Sequence, residues 1–267
     1  MTDFQEFIDK YLAHTIGVIA LVQVWLIAAW NKWIIKPKIE FHPTANIEIG
    51  FSTFGSTVSL PGAIRLLNKD IFVSAMRLKI VRVADRSEHE FTWRAFKSNK
   101  LTGPSLVPEN VEIASSFTVS PGSPKILNVF FASENFSDRY AQHARAIQTA
   151  WSAFLQAKQP VYGEQFATQL NDPLFVDELF SEFSSQNNVV LDFHASLNNR
   201  FFWHSGEYLI ELKVSSAQLS DQIYTWSLCI TEQEEIRLRS NAALTIKEVC
   251  KISVVYEFVY KPYMKVA

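Results

Sequence analysis

Between His14 and Lys38 the chain reads HTIGVIALVQVWLIAAWNKWIIKPK, an apolar run that constrains the architecture more than any other stretch. From residue 15 to residue 35 the strongly polar side chains are Gln23 and the pair Asn31-Lys32. A helix of that length reaches about 31 Å at about 1.5 Å per residue, enough for a hydrocarbon core of about 30 Å. A long helix buried in a soluble protein normally keeps a polar stripe at the helical period, and residues 16–30 have none. The run therefore predicts a transmembrane helix over residues 15–36, after a short tail at 1–14 and before a linker at 37–44 that contains Pro37 and Pro43. A cleaved secretory signal fits less well, because the preceding MTDFQEFIDK is acidic and no small-x-small site follows.

Flanking residues suggest how such a helix would sit. Trp30, Lys32, Trp33 and Lys36 read as a membrane-interface belt, with the lysines reaching toward headgroups. Lys10 stands among Asp3, Glu6 and Asp9, whereas Lys32, Lys36 and Lys38 follow the run. By the positive-inside rule the expected location is the inner (cytoplasmic) membrane, with the N-terminus outside and the main domain in the cytoplasm. Ala13, Gly17, Ala20 and Gln23 suggest helix association, since small residues let backbones approach and an amide in hydrocarbon seeks a partner. A homo-oligomer is the expected state; a different membrane protein, or the helix's own backbone, is the other partner open to Gln23.

Beyond the linker, period-two alternation dominates. Runs at 47–51, 76–80, 90–96, 111–119, 126–132, 189–195 and 208–214 read as strands, and a phase switch at Val81 and Val83 suggests a bulge. Turn chemistry such as Leu60-Pro61-Gly62, Thr102-Gly103-Pro104 and Ser120-Pro121-Gly122 separates them. Many short strands joined this way argue for an antiparallel sandwich or barrel. From residue 244 to 260 the even positions are mostly apolar without a breaker, so that segment reads as one very long strand and a candidate assembly edge.

Two segments depart from alternation. Ser137 could cap a helix to about Lys158, with Tyr140, Ala144, Ile147, Trp151 and Phe154 or Leu155 on one face. Asp172-Pro173 then supplies a cap and a first-turn proline for LFVDELFSEFS. Together they read as a two-helix insertion at about residues 137–186, packed on the sandwich or offered to a protein partner.

The stretch Trp203-His204-Ser205-Gly206-Glu207-Tyr208-Leu209-Ile210-Glu211-Leu212 resembles the sixth strand of immunoglobulin-like sandwiches. There a Gly-x-Tyr turn opens the strand and the tyrosine hydroxyl bonds back to the chain. Ile210 stands where antibody domains place their second cysteine, so the inter-sheet disulfide is absent. The resulting expectation is mainly β: an antiparallel, immunoglobulin-like β-sandwich over residues 45–267 with a two-helix insertion, preceded by one N-terminal transmembrane helix.

Chemical motifs are scarce. Two cysteines, Cys229 and Cys250, build no disulfide framework or metal spacing. A net charge of −2 with scattered Lys and Arg gives no field for nucleic acid. The six histidines form no HExxH, and Gly50-Phe51-Ser52-Thr53-Phe54-Gly55 has one residue too many for a nucleophile elbow. No catalytic, cofactor or metal residue is assigned, although Ser205 beside His204, or Asp192 near His194, could join others in space. Arg139, His143 and Arg145 could contact an anion or a partner, as could Arg65 with Lys69; a solvated face is the simpler account of both.

Three functional classes remain. The first is a membrane-anchored cytoplasmic interaction or effector module acting through oligomerisation or partner binding, an architecture found in bacterial signalling and phage defence. The others are a periplasm-facing structural component of an envelope complex and a membrane-tethered hydrolase.

Overall fold

A computed structural model describes residues 2–30, 36–98, 101–102, 105–106, 110–133 and 137–265. The chain begins with helix α1 (Thr2–Ala29) and then runs through β1 (Lys38–Pro43), β2 (Ile47–Ser52), β3 (Gly55–Leu67), β4 (Ile71–Arg82) and β5 (Glu88–Ser98). Four short strands follow, β6 (Leu101–Thr102), β7 (Ser105–Leu106), β8 (Asn110–Ile113) and β9 (Phe117–Val119), before β10 (Lys125–Ser133). A helical block interrupts the strands with α2 (Ser137–Tyr162), a 3-10 turn at Gly163–Gln165, α3 (Phe166–Gln169), α4 (Pro173–Gln186) and α5 (Asn188–Asn199). The chain returns to sheet with β11 (Gly206–Ser216) and β12 (Gln222–Ile230), then forms α6 (Glu232–Val249) and the short β13 (Val259–Lys261) and β14 (Met264–Lys265).

The expected two-sheet sandwich is replaced by one curled antiparallel half-barrel. Its long path runs β13-β2-β3-β10-β5-β4-β11-β12-β14, with β1, β8 and β9 attached to β3, β5 and β4. The reason lies in strand length. Thirteen-residue β3 borders β2 with its first half and β1 with its second, while β10 covers its other side. Twelve-residue β4 likewise spans β9 and β5 on one side and β11 on the other. Strands that each bridge two neighbours keep the sheet continuous, and the second layer that a sandwich takes from another sheet comes here from helices. Ile147 and Trp151 of α2, Phe180 and Phe183 of α4, Phe193 of α5 and Leu238 of α6 join Ile49, Val58, Leu78, Phe131 and Ile210 in one apolar cluster.

Aromatic side chains draw the far ends of the sheet together. The Tyr224 hydroxyl on β12 donates to the Ile39 carbonyl on β1 at 2.8 Å, and Tyr263 donates to the Pro61 carbonyl at 3.1 Å. Phe41 of β1 meets Trp226 of β12 at 5.5 Å between ring centres. A Cβ at position 62 would collide with the Phe41 ring, so Gly62 is what lets that ring lie on β3. On the opposite face, Lys97 of β5 donates to Glu48 of β2 at 2.7 Å and packs over the rings of Phe130 and Phe258. Ser59 gives the same Glu48 oxygen a second hydrogen bond at 3.0 Å, as a buried charge pair requires.

Two segments expected as strands are helical in whole or in part. Residues 189–195 belong to α5, where the Asn187 side chain accepts from the Val189 N–H and Val190, Phe193 and Leu197 are buried at spacings of three and four. The expected long strand at 244–260 is broken up: residues 244–249 are the last third of α6, a helix opened by a capping box between Thr231 and Glu234, residues 250–258 form no regular element, and only 259–260 are in a strand, β13. Leu238, Ala242, Thr245, Ile246 and Val249 make the buried stripe of α6. Helix formation satisfies the backbone locally, and the stripe matches the curved sheet better than period-two burial would.

The membrane-spanning expectation is corrected as well: among the described residues, no helix is long and apolar enough to cross a membrane. Helix α1 ends at Ala29 and begins in the acidic segment at residues 2–10. Its apolar part, residues 15–29, reaches about 22 Å at about 1.5 Å per residue, short of a hydrocarbon core of about 30 Å. The single-pass topology and the inner-membrane location built on that span fall with it.

Candidate functional site

Helix α1 carries the most unusual surface of the molecule. From His14 to Ala28 every side chain is exposed, including Ile16, Val18, Ile19, Leu21, Val22, Val24, Leu26 and Ile27; Trp25 is 75% exposed. At about 100° per residue these positions fall on every side of the helix. Of the residues expected to mediate association, Gly17, Ala20 and Gln23 are exposed within one arc, and a Cβ at Gly17 would meet nothing within 4 Å. The Ala13 side chain lies outside the described ones. Of the expected interface belt, Trp30 and Lys36 are exposed, while Lys32 and Trp33 lie outside the described residues.

The other sequence candidates separate. Arg139 has its side chain outside the described ones, as does the expected cap Ser137. His143 on α2 stacks on Phe193 of α5 at 5.1 Å between ring centres, so it packs α2 against α5. Arg145, two positions further, is exposed and falls on the opposite side of the helix. Arg65 lies opposite Glu40 in the β1–β3 register, on the same face. His194 bonds Asn198 at 3.1 Å, and Asp192, two positions before it on α5, is exposed.

One polar cluster is well built. The turn from Phe201 to Gly206 enters β11, and the Tyr208 hydroxyl donates back to the carbonyl of His204 at 2.6 Å and of Phe202 at 3.2 Å. Trp203 is fully buried and donates its indole N–H to the Gly50 carbonyl at 2.9 Å. Glu235, in the first turn of α6, accepts from the Ser205 backbone N–H at 2.6 Å, lies 3.1 Å from the His204 ring nitrogen, and accepts from Arg239 at 2.7 Å. Burial pushes its carboxyl up, but Arg239, the Ser205 N–H and His204 outweigh that and hold it at about 2. Arg239 in turn lies 4.5 Å over the Phe201 ring.

This cluster ties the turn to α6. A carboxylate saturated with donors and held that low is a poor proton acceptor at neutral pH, and Ser205 reaches it through its backbone rather than its hydroxyl. Glu235 and Arg239 escape a reading by motif because they lie outside any familiar spacing. The Thr231-x-x-Glu234 pattern is the signal that marks their helix.

Among the described residues, no group of three or more His, Cys, Asp or Glu could hold a metal ion. Cys250 is buried, and burial raises its thiol to about 12; Cys229 is exposed. Comparison with protein-family models, with curated proteins and with solved structures returned no match.

Proposed function

We propose that the protein is an interaction module that gathers copies of itself through α1 and thereby displays its β domain in several copies. One observation carries this reading: from residue 16 to residue 27 the helix is apolar on every side, and each of these side chains is exposed. A helix of that kind is stable in water only when other surfaces enclose it. A second copy is the natural partner, because the same surface on both sides is self-complementary. Pairing hides one side only, so copies collect into a bundle. Gln23 then lies inside it, where amides of facing helices hydrogen-bond and fix the register.

Sedimentation of the full chain tests the proposal. The wild type is expected to sediment at three or more times the chain mass. Leu21→Glu with Trp25→Glu, four apart on one face, should return it to a single chain without changing the melting temperature of the domain. A wild type at single-chain mass at every concentration would refute the reading.

A further inference from the structure

The outward side of β4, β5 and β11, walled by residues 114–116, forms a groove of about 620 Å³. Its size is that of a small-molecule site, typically about 300–1,000 Å³. Strand register sorts the charges on its floor. Lys79 of β4 lies opposite Glu90 on β5 and Glu211 on β11 and pairs with Glu88 at 2.8 Å, so that end is compensated. Two residues back along β4, Arg77 lies opposite Thr92 on β5 and Lys213 on β11. Lys213 meets Asp221 at 2.6 Å, a carboxylate that does not line the groove. Asp221 also feels the charge of Arg77, yet Arg77 makes no ion pair with any described residue.

Like charges set directly opposite on neighbouring strands are destabilising. Arg77 and Lys213 are held that way by a register of eight consecutive pairs between β4 and β11, which breaks only beyond Ser215. The hydroxyls of Ser74 and Ser116 tie the same end of the groove to its wall: Ser74 donates to the Ser215 carbonyl at 3.2 Å and Ser116 to the Ser74 carbonyl at 3.1 Å. The result is a fixed, concave, cationic end beside a charge-balanced one.

We propose that this end binds the phosphate of a small phosphate monoester, with the remainder of the ligand lying along the groove toward Lys79. Two cations on adjacent strands, with backbones about 5 Å apart, can approach one dianion from two sides. The guanidinium supplies a planar fork and the ammonium a compact point charge. A lone carboxylate would be met by Arg77 alone and would leave Lys213 to Asp221. The site is independent of α1 and stands whether or not copies assemble.

Titration calorimetry on the full chain tests it, with adenosine 5′-monophosphate, glucose 6-phosphate, inorganic phosphate and succinate as probes. At least one ester should bind saturably, and both Arg77→Gln and Lys213→Gln should weaken it by about tenfold or more, the loss of a charge-assisted contact. Arg237→Gln, a surface control on α6, should leave it unchanged. The better of the two esters identifies the ligand class as nucleotide or sugar phosphate. Absence of saturable heat for every probe at millimolar concentration would overturn the proposal. Binding that survives both groove substitutions, or succinate binding as tightly as the esters, would overturn it equally.

Discussion

Helices α1 and α6 invert the usual relation between hydrophobicity and burial. Helix α1 is the more apolar, yet its side chains from 14 to 28 are exposed. Helix α6 opens with Glu232, Glu234 and Glu235, carries Arg237, Arg239 and Lys247, and still buries six of its residues completely or nearly so. What separates them is a partner. One stripe of α6 meets the inner apolar layer, and Asn241 there donates to the Glu257 carbonyl at 2.7 Å and accepts from its N–H at 2.9 Å. Among the described side chains of α1 from residue 14 to residue 28, no stripe is covered by its own chain. Burial follows from shape and pairing, and a helix that is apolar all round looks outside its own domain for cover.

The same truncation made in both helices should have very different effects. Leu238→Ala in α6 should cost about 2–5 kcal/mol, the usual range for a fully buried leucine, whereas Leu21→Ala in α1 should leave domain stability within about 0.5 kcal/mol. Chemical denaturation of the two variants reads the difference; equal losses would mean that α1 is part of the domain core. Asn241→Ala is next, expected to cost about 2–3 kcal/mol because it leaves both backbone groups of Glu257 without their partner. Its effect should appear in the same denaturation series.

Acid should loosen α6 from the turn it anchors. Glu235 anchors α6 and is held at about 2 against an ordinary value of 4.5. A carboxylate depressed in the folded state contributes stability that is fully present above its unfolded value and is lost as pH falls through its folded one. Domain stability should therefore drop between roughly pH 4.5 and 2 by an amount on the order of 2 kcal/mol more than in Glu235→Gln. Parallel slopes for the two proteins over that range would remove Glu235 from the account.

Alternation at 47–51, 76–80 and 208–214 is legible because each strand has one face against the core and one toward solvent or a polar layer; the run at 126–132 is a strand buried on both faces from Val129 to Ala132, with Phe130 and Ala132 in a second apolar cluster. The helical spacing of Tyr140, Ala144, Ile147 and Trp151 is legible for the same reason. Val189-Val190-Leu191 misleads, since a short apolar run fits both periods and the Asn187 cap decides between them. Residues 244–260 mislead because β-branched residues are frequent there, while the capping box that starts the helix of 244–249 lies thirteen residues upstream. Strand runs alone also leave open whether one sheet forms or two; register and the seam at Phe41, Tyr224 and Trp226 decide it. Of the candidate site, the apolar surface of α1 is plain in the sequence, whereas the Arg77 and Lys213 pair exists only through the β4–β11 register.

Cross-linking at the centre of α1 tests self-association most directly. In a Cys229→Ser background, which removes the exposed native thiol, Gln23→Cys under mild oxidation should give a covalent dimer at dilute protein concentration. A cysteine at exposed Arg237, treated identically, should remain monomeric. Equal, slow cross-linking at both positions would contradict assembly through α1.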